Sequence, residues 1–205
     1  KWGVDVGLDV GLVGWWKFDE TDGTIAHDSS GNDNNGTLTN GPTWAQGKIG
    51  GALSLDGVND YVLLPATADL DLQTLTISAW VHSSNYSQNG FIFEKTSNGN
   101  VNSQYNFFFA TNYLYFRTIK NGVLDESLSS TSGWNGWLLT SATFDGSSKK
   151  VYMNGVQKAE VAWVGPIATG ATGISTIGAY HFYPSSSTSD YHFNGLIDDV
   201  RIYDR

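Results

Sequence analysis

Cysteine is absent from this 205-residue chain, which excludes disulfides, thiolate metal sites and a cysteine nucleophile. Charge is also scarce. Charged residues make up 15% of the sequence, against about a quarter in an ordinary globular protein, so the surface has to be built from Ser, Thr, Asn and Gly. The 11 Lys and Arg are outnumbered by 20 Asp and Glu, for a net charge of −9. That balance argues against nucleic acid, whose phosphates need a basic face, and suits a hard cation that prefers oxygen ligands. The four histidines, His27, His82, His181 and His192, stand apart with no paired spacing that would suggest zinc. No apolar run approaches the roughly 20 residues of a membrane span, and helical periodicity is nearly absent. The chain begins at Lys1 without a leader and stops at Arg205; it reads as one excised, monomeric domain of a larger secreted or surface protein.

What the sequence does contain is a series of strand patterns separated by turns about every ten residues, the signature of an all-β sandwich. Strands are expected at Leu12–Phe18, Ala52–Leu55, Tyr61–Leu64, Leu75–His82, Phe91–Glu94, Tyr105–Ala110 and Tyr113–Ile119. In Leu75–His82 the alternation is strict, so Leu75, Ile77, Ala79 and Val81 should face the core. Asn154-Gly155 lies between two β runs and predicts a type I′ hairpin turn. A single short helical turn is expected near Ala68–Leu72. The whole is read as one domain over residues 11–205, with residues 1–10 a linker remnant or an edge strand.

Two oxygen-rich segments stand out. Asp28-Ser29-Ser30-Gly31-Asn32 is a turn of oxygen ligands, and Asp198-Asp199 opens the apolar closing strand through Tyr203. Calcium takes six to eight oxygens from carboxylates, amides and carbonyls, so Asp28, Asn32 and Asp198 are candidate ligands, with Glu20 and Asp199 in reserve. Alternation puts Asp198 on one face with Val200 and Ile202, and Asp199 on the other with Arg201. The same residues also suit a plain Asx-turn at Asp28 and a strand that simply ends in solvent.

Rigid aromatic faces beside a few polar groups are the means by which a protein holds sugar rings. Two sets have that composition: Tyr180, His181, Tyr183 and Tyr191 around a Ser-rich loop, and a sheet face formed by Trp80, His82, Glu94, Lys95, Tyr105 and Arg117. Packing is the competing role for every aromatic among them.

In order along the chain, Gly11 to Glu20, Asp28 to Asn32, Gly50 to Gly57, Thr76 to Val81, Gly136-Trp137, Tyr152 to Gly155 and the closing strand from Gly195 resemble the successive segments of bacterial laminin-G-like domains. These belong to the concanavalin A-like lectin/glucanase jelly rolls. The resemblance implies an antiparallel two-sheet β-sandwich of jelly-roll type, and a structural calcium ion where Asp198 meets the Asp28 turn. It also implies a non-catalytic module that binds polysaccharide or another glycan and carries a secreted parent protein to it. An adhesion or protein-interaction scaffold is the alternative. A glycosidase of this fold is less in keeping, because the Glu-x-Asp-x-x-Glu strand of the laminarinase type is missing. One departure is visible: Leu138 and Leu139 stand where the family has two histidines.

Overall fold

The computed structural model describes residues 10–83, 85–87, 89–96, 103–120, 123–130, 134, 136–163, 165–168, 170, 173–180 and 191–205, with residues 103, 120 and 123–130 described by backbone alone. The proposed linker, residues 1–10, lies outside this set except for Val10.

Sixteen strands follow in order: β1 (Leu12–Trp16), β2 (Ile25–Ala26), β3 (Gly36–Thr39), β4 (Thr43–Gln46), β5 (Gly51–Asp56), β6 (Tyr61–Leu64), β7 (Leu75–His82), β8 (Gly90–Thr96), β9 (Ser103–Ala110), β10 (Tyr113–Lys120), β11 (Val123–Ser130), β12 (Trp137–Phe144), β13 (Ser148–Met153), β14 (Val156–Ala162), β15 (Ser175–Ile177) and β16 (Asn194–Tyr203). Ala68–Leu70 forms a single 3-10 turn, the one helical element among the described residues. Sheet I runs β14-β13-β12-β7-β16-β5-β4, with β1 beside β16; sheet II runs β11-β10-β9-β8-β15-β6-β3-β2. The pairings of both sheets are antiparallel, and the core lies between them, as the sequence predicts for a jelly roll.

Leu75, Ile77, Ala79 and Val81 are fully buried and face Phe93, Phe107, Phe109, Leu114 and Phe116 of sheet II within one apolar cluster. Asn154 and Gly155 adopt φ of 48° and 77°, the left-handed pair that a type I′ turn requires. Strands β2, β3 and β4 run through what reads in the sequence as polar loop. Four residues or fewer each, and half-exposed, they have too little apolar content to show a period.

One inward row of sheet II is polar. Ser175, Lys95, Tyr105 and Thr118 lie in register from β15 to β10, and all four are buried. Lys95 donates through Nζ to Gly173 O, Tyr105 donates to Leu70 O at 2.8 Å, and Asp71 accepts from Gln104 and from Gly170 N. Burial pulls the Lys95 ammonium down to about 8, against the opposing pull of the Asp71 charge. The unfolded chain holds this proton to about pH 10.4, so between about pH 8 and 10 it binds more protons than the folded chain, and Lys95 makes stability rise with pH. Denaturant titrations should show this contribution, on the order of 2 kcal/mol, as a slope present in the protein and missing from Lys95→Met.

Candidate functional site

The outer face of sheet II carries a groove. Because Tyr105, Phe107 and Phe109 fill the core, Asn106, Phe108 and Ala110 face outward along β9. On β10 Leu114 and Phe116 point inward, leaving Tyr113, Tyr115 and Arg117 outside. A bulge between Phe91 and Phe93 on β8 lets Ile92 and Phe93 both enter the core while Phe91 turns out.

The result is a column of parallel rings across neighbouring strands. Tyr191 and Phe91 lie 6.1 Å apart at 15°, Phe91 and Phe108 4.6 Å apart at 5°, and Phe108 and Tyr115 4.9 Å apart at 9°. The 4.6 and 4.9 Å separations match the strand spacing of about 4.8 Å, so β8, β9 and β10 contribute one ring each and Tyr191 adds a fourth from outside the strands. The Arg117 guanidinium lies 4.8 Å from the Phe108 centroid. Tyr180 and Tyr191 are fixed by a 3.1 Å bond from Tyr180 N to Tyr191 O and by the bridge between Ala179 and His192. Asn89, Phe91, Phe108, Ala110, Arg117, Tyr180 and Tyr191 line a space of about 270 Å³, and Tyr191 is 41% exposed at its edge.

The structure brings three of the expected ligand residues together, Tyr180, Tyr191 and Arg117. His181 and Tyr183 lie outside the described residues. The second expected set is divided. Trp80 and His82 stand on β7 and point to the outer face of sheet I, where the His82 and Trp137 rings are 5.6 Å apart. Lys95 and Tyr105 face the core and are 0% and 1% exposed. The correction has a simple cause: alternation gives parity within a strand, whereas membership of a sheet is set by long-range pairing. Phe91, Phe108 and Tyr115 were missed because the all-aromatic run at 107–109 hides its own alternation and the β8 bulge reverses that of Phe91.

The oxygen-rich segments prove to be two separate arrangements. Asp28 Oδ1 accepts from Trp15 N at 2.9 Å and Ser30 N at 2.8 Å, and Oδ2 accepts from Ser30 Oγ at 2.8 Å and Asn34 N at 3.0 Å. These four donors match the acceptor capacity of a carboxylate, and the contact to Ser30 N is the Asx-turn. Asn32 donates through Nδ2 to the Leu12, Val13 and Ser30 oxygens, pinning the turn to β1.

Asp198 is different. It is fully buried, its Oδ2 accepts from Lys48 N and Ile49 N at 2.8 Å each, and its Oδ1 has no partner. Burial raises its carboxyl to about 6, against these two backbone bonds and with help from the Asp199 and Asp19 charges. Alternation placed Asp198 with Val200 and Ile202, but the register shifts between Asp198 and Arg201 and Asp199 takes φ 52°. The bulge leaves Asp198 opposite Trp80, on the outer side of sheet I. Asp199 Oδ1 accepts from Trp15 Nε1 at 2.7 Å and forms an ion pair with Arg201 at 3.1 Å.

Glycines at 47, 50 and 51 let the loop close over these groups. A Cβ on Gly47 would sit 2.7 Å from Asp198 Oδ2, and one on Gly50 or Gly51 would strike Asp19 Oδ1 or Phe18 O. Asp19 Oδ1 accepts from Gly51 N at 2.7 Å. Glu20 Oε1 accepts from His27 N at 2.7 Å, and its Oε2 is buried with no partner. Among the described residues no three His, Cys, Asp or Glu side chains converge as metal ligands. A cation at this loop would have two carboxylates to draw on, Asp198 Oδ1 and Asp19, whose charges already act on one another, and would complete its shell from carbonyls and water. That mixture fits calcium. Asp19 and Glu20 also border an open depression of about 610 Å³ with Trp44 and Gln46.

The model of one protein family, described as the concanavalin A-like lectin/glucanases superfamily, matches residues 56–205. No curated protein matches the chain. Among solved structures, domain 4 of AbnA, a GH43 extracellular arabinanase from Geobacillus stearothermophilus, in complex with arabinotriose, is 24% identical with a TM-score of 0.65 over 94% of this chain and 91% of that one. The binding domain of Paraclostridial Mosquitocidal Protein 1 is 16% identical, TM-score 0.69, over 95% and 49%. The binding domain of Botulinum Neurotoxin DC in complex with SialylT is 13% identical, TM-score 0.70, over 97% and 48%. The chain thus spans about half the length of the toxin domains, and at these identities the likeness establishes the fold.

Asp28 anchors its turn through protein donors alone, so Asp28→Ala should lower stability by about 2–3 kcal/mol. Chemical denaturation should give the same loss in calcium and in EDTA.

Proposed function

Since the chain belongs to the concanavalin A-like lectin/glucanase superfamily, we propose that it is a non-catalytic carbohydrate-binding module of an extracellular protein, carrying its parent to a glycan. The observation that carries this reading is the groove on sheet II. It joins an aromatic floor, the exposed Tyr191 ring at one rim and the Arg117 guanidinium over Phe108, the rigid faces that suit a sugar ring. Its volume of about 270 Å³ suits a short oligosaccharide segment. The bound sugars of the arabinanase domain and of the neurotoxin domain supply two ligand chemistries to try, one neutral and one acidic.

Catalysis is disfavoured by spacing. The described residues lining the groove include no carboxylate. Glu94 lies in the row beside it, and Glu126 holds the register position beyond Arg117. Their backbone positions are three strand spacings apart, roughly 14 Å, whereas glycosidase carboxylates stand about 5–9.5 Å apart. A second reading, a protein-interaction scaffold, draws support from Trp80, His82 and Trp137 on the outer face of sheet I.

Structural calcium is part of the proposal, with Asp198 and Asp19 as its carboxylates and Glu20 beside them. These groups lie on sheet I, away from the groove, so the ion's role is to hold the 47–50 loop to β16. Asp28 and Asn32 take no part in this arrangement.

Two measurements test the reading. Isothermal titration with arabinotriose, other neutral oligosaccharides and sialyllactose should find at least one ligand. Tyr191→Ala should weaken it about tenfold or more, the stacking of one ring being worth on the order of 1–1.5 kcal/mol or more, with the melting temperature unchanged. Absence of binding throughout the panel would favour the scaffold. Separately, calcium should raise the melting temperature by mass action, and Asp198→Asn should abolish that rise without lowering the melt in EDTA. A calcium response that survives the substitution would exclude this site.

A further inference from the structure

A stack of rings uses up its own faces. In the aromatic column Phe108 lies between Phe91 and Tyr115. Phe91 in turn lies between Phe108 and two tyrosines, Tyr191 and Tyr180, the latter 4.9 Å away at 40°. The tyrosines stand on the far side because β15, which leads into Tyr180, flanks β8 opposite β9. Phe91 and Phe108 are accordingly only 2% and 5% exposed. They border the groove by their rims, whereas a sugar held by stacking needs the flat of a ring. Tyr115 ends the column on β10, with Leu128 of β11 at the next register position, and it does not line the groove. The flat that the groove offers is at the other end. One face of Tyr191 stacks on Phe91, so its exposure belongs to the opposite face and the ring edge. Tyr180 stands beside it, half-buried, with the two rings 6.4 Å apart at 47°.

The groove is also closed along the strands. In one direction the next outward residues of β8 and β9 are Glu94 and Asn106, and both are buried, so no open channel continues over them. In the other direction β8 begins at Gly90 and β9 ends at Ala110. The loop before β8 is tied across that end by Thr111 N donating to Ser87 O at 3.2 Å and Asn112 N to Tyr86 O at 3.1 Å, and Asn89 of the same loop borders the groove. We propose that the groove takes the terminal unit of a glycan, a chain end or a short branch, and not an internal stretch of chain. A chain passing through a site has to enter and leave it, and each unit laid down needs a ring face of its own. An end unit needs one face and one way in. Tyr191 supplies the face, and Tyr180, tilted against it, makes a notch for the edge of the same sugar. The inference rests on the reading of the groove as a glycan site and adds the class of glycan that it selects.

End recognition has a signature that chain recognition lacks. In a site that spans a chain, any internal stretch is a ligand, so a long polysaccharide carries many domains along its length. In a site for ends, the units beyond the notch stay in water and contribute nothing. A long unbranched chain then counts as one ligand, and cutting it creates new ones.

The test pairs trisaccharides with long linear chains of the same sugars: arabinotriose with linear arabinan, xylotriose with linear xylan and maltotriose with amylose. Sialyllactose is compared with lactose, which lacks its terminal unit. The expected result is binding of at least one of these sugars. On the matching long chain, binding should saturate at a single domain per chain, and the capacity should rise in proportion to the new ends when the chain is partly cleaved. If sialyllactose is the ligand, lactose should bind about tenfold or more weakly. Tyr191→Ala should weaken each of these interactions about tenfold or more, with an unchanged melting temperature. Many domains per long chain, with a capacity that cleavage leaves unaltered, overturns the inference, as does equal binding of lactose and sialyllactose. If Tyr191→Ala still weakens that binding, the groove stands without it. If no sugar binds, or if binding survives Tyr191→Ala, the inference and the reading of the groove fall together.

Discussion

Strand β16 serves as the seam of sheet I, and the placement of everything else follows from how it is paired. On one side it runs along β7; on the other it meets β5 with Asn194–Ile197 and β1 with Val200–Tyr203. A strand can have two partners on one edge only if one gives way to the other, and Asp198 and Asp199 stand at the change. The bulge there inserts a residue, which keeps Ile197 and Val200 both in the core and sends both carboxylates outward. Each then secures a different neighbour, Asp198 the backbone of the 47–50 loop and Asp199 the Trp15 indole. The Trp15–Asp199 bond spans 184 positions of sequence. Closing the sandwich this way therefore carries a large loop-closure cost, and a fold so rich in distant pairings is expected to form slowly.

That seam separates two kinds of chemistry. On sheet I the outward groups near β16 are carboxylates that hold chain, Asp198 through the backbone N–H groups of a loop whose glycines allow close approach and Asp199 through the Trp15 indole and Arg201. On sheet II the outward groups are rings, amides and a guanidinium, arranged one per strand. The first arrangement holds chain to chain; the second presents a surface. Because the core lies between them, side chains on the groove face can change without disturbing the bonds that close the sandwich. Such a division is what a recognition module built on a common fold requires.

How far the sequence discloses this depends on the range of the interaction that decides each feature. Local patterns reported local outcomes: the buried face of Leu75–Val81, the Asn154-Gly155 turn and the short turn at Ala68 are all as the residues indicate. The Asx-turn at Asp28 is likewise legible, since Asp28 and Ser30 are two residues apart. What could not be read is what depends on partners far along the chain. Trp80 and Arg117 have similar credentials in the sequence and end on different sheets. Asp198 changes face because of a bulge whose register is set by β7 and β1. Lys95 and Tyr105 look like surface groups by type, yet their row turns inward beneath the loop that supplies Gly173 O. Tyr180 and Tyr191 were legible for the opposite reason, as exposed aromatics flanking one polar loop.

The unpaired buried atoms sharpen the distinction between holding and presenting. Around Lys95 the unpaired Gln104, Thr118 and Ser175 oxygens lie deep in the interior, where an internal water would serve them. Beside β16 the unpaired atom is anionic, Asp198 Oδ1, and a water alone cannot neutralise a buried carboxylate; a cation can. Beneath the groove the unpaired group is a neutral amide with donor and acceptor side by side, for which a cation would satisfy only one end. Three environments in one small domain thus call for three different partners. Under the proposed reading these are an internal water around Lys95, a hard oxygen-seeking ion at the seam and a hydroxylated ligand in the groove.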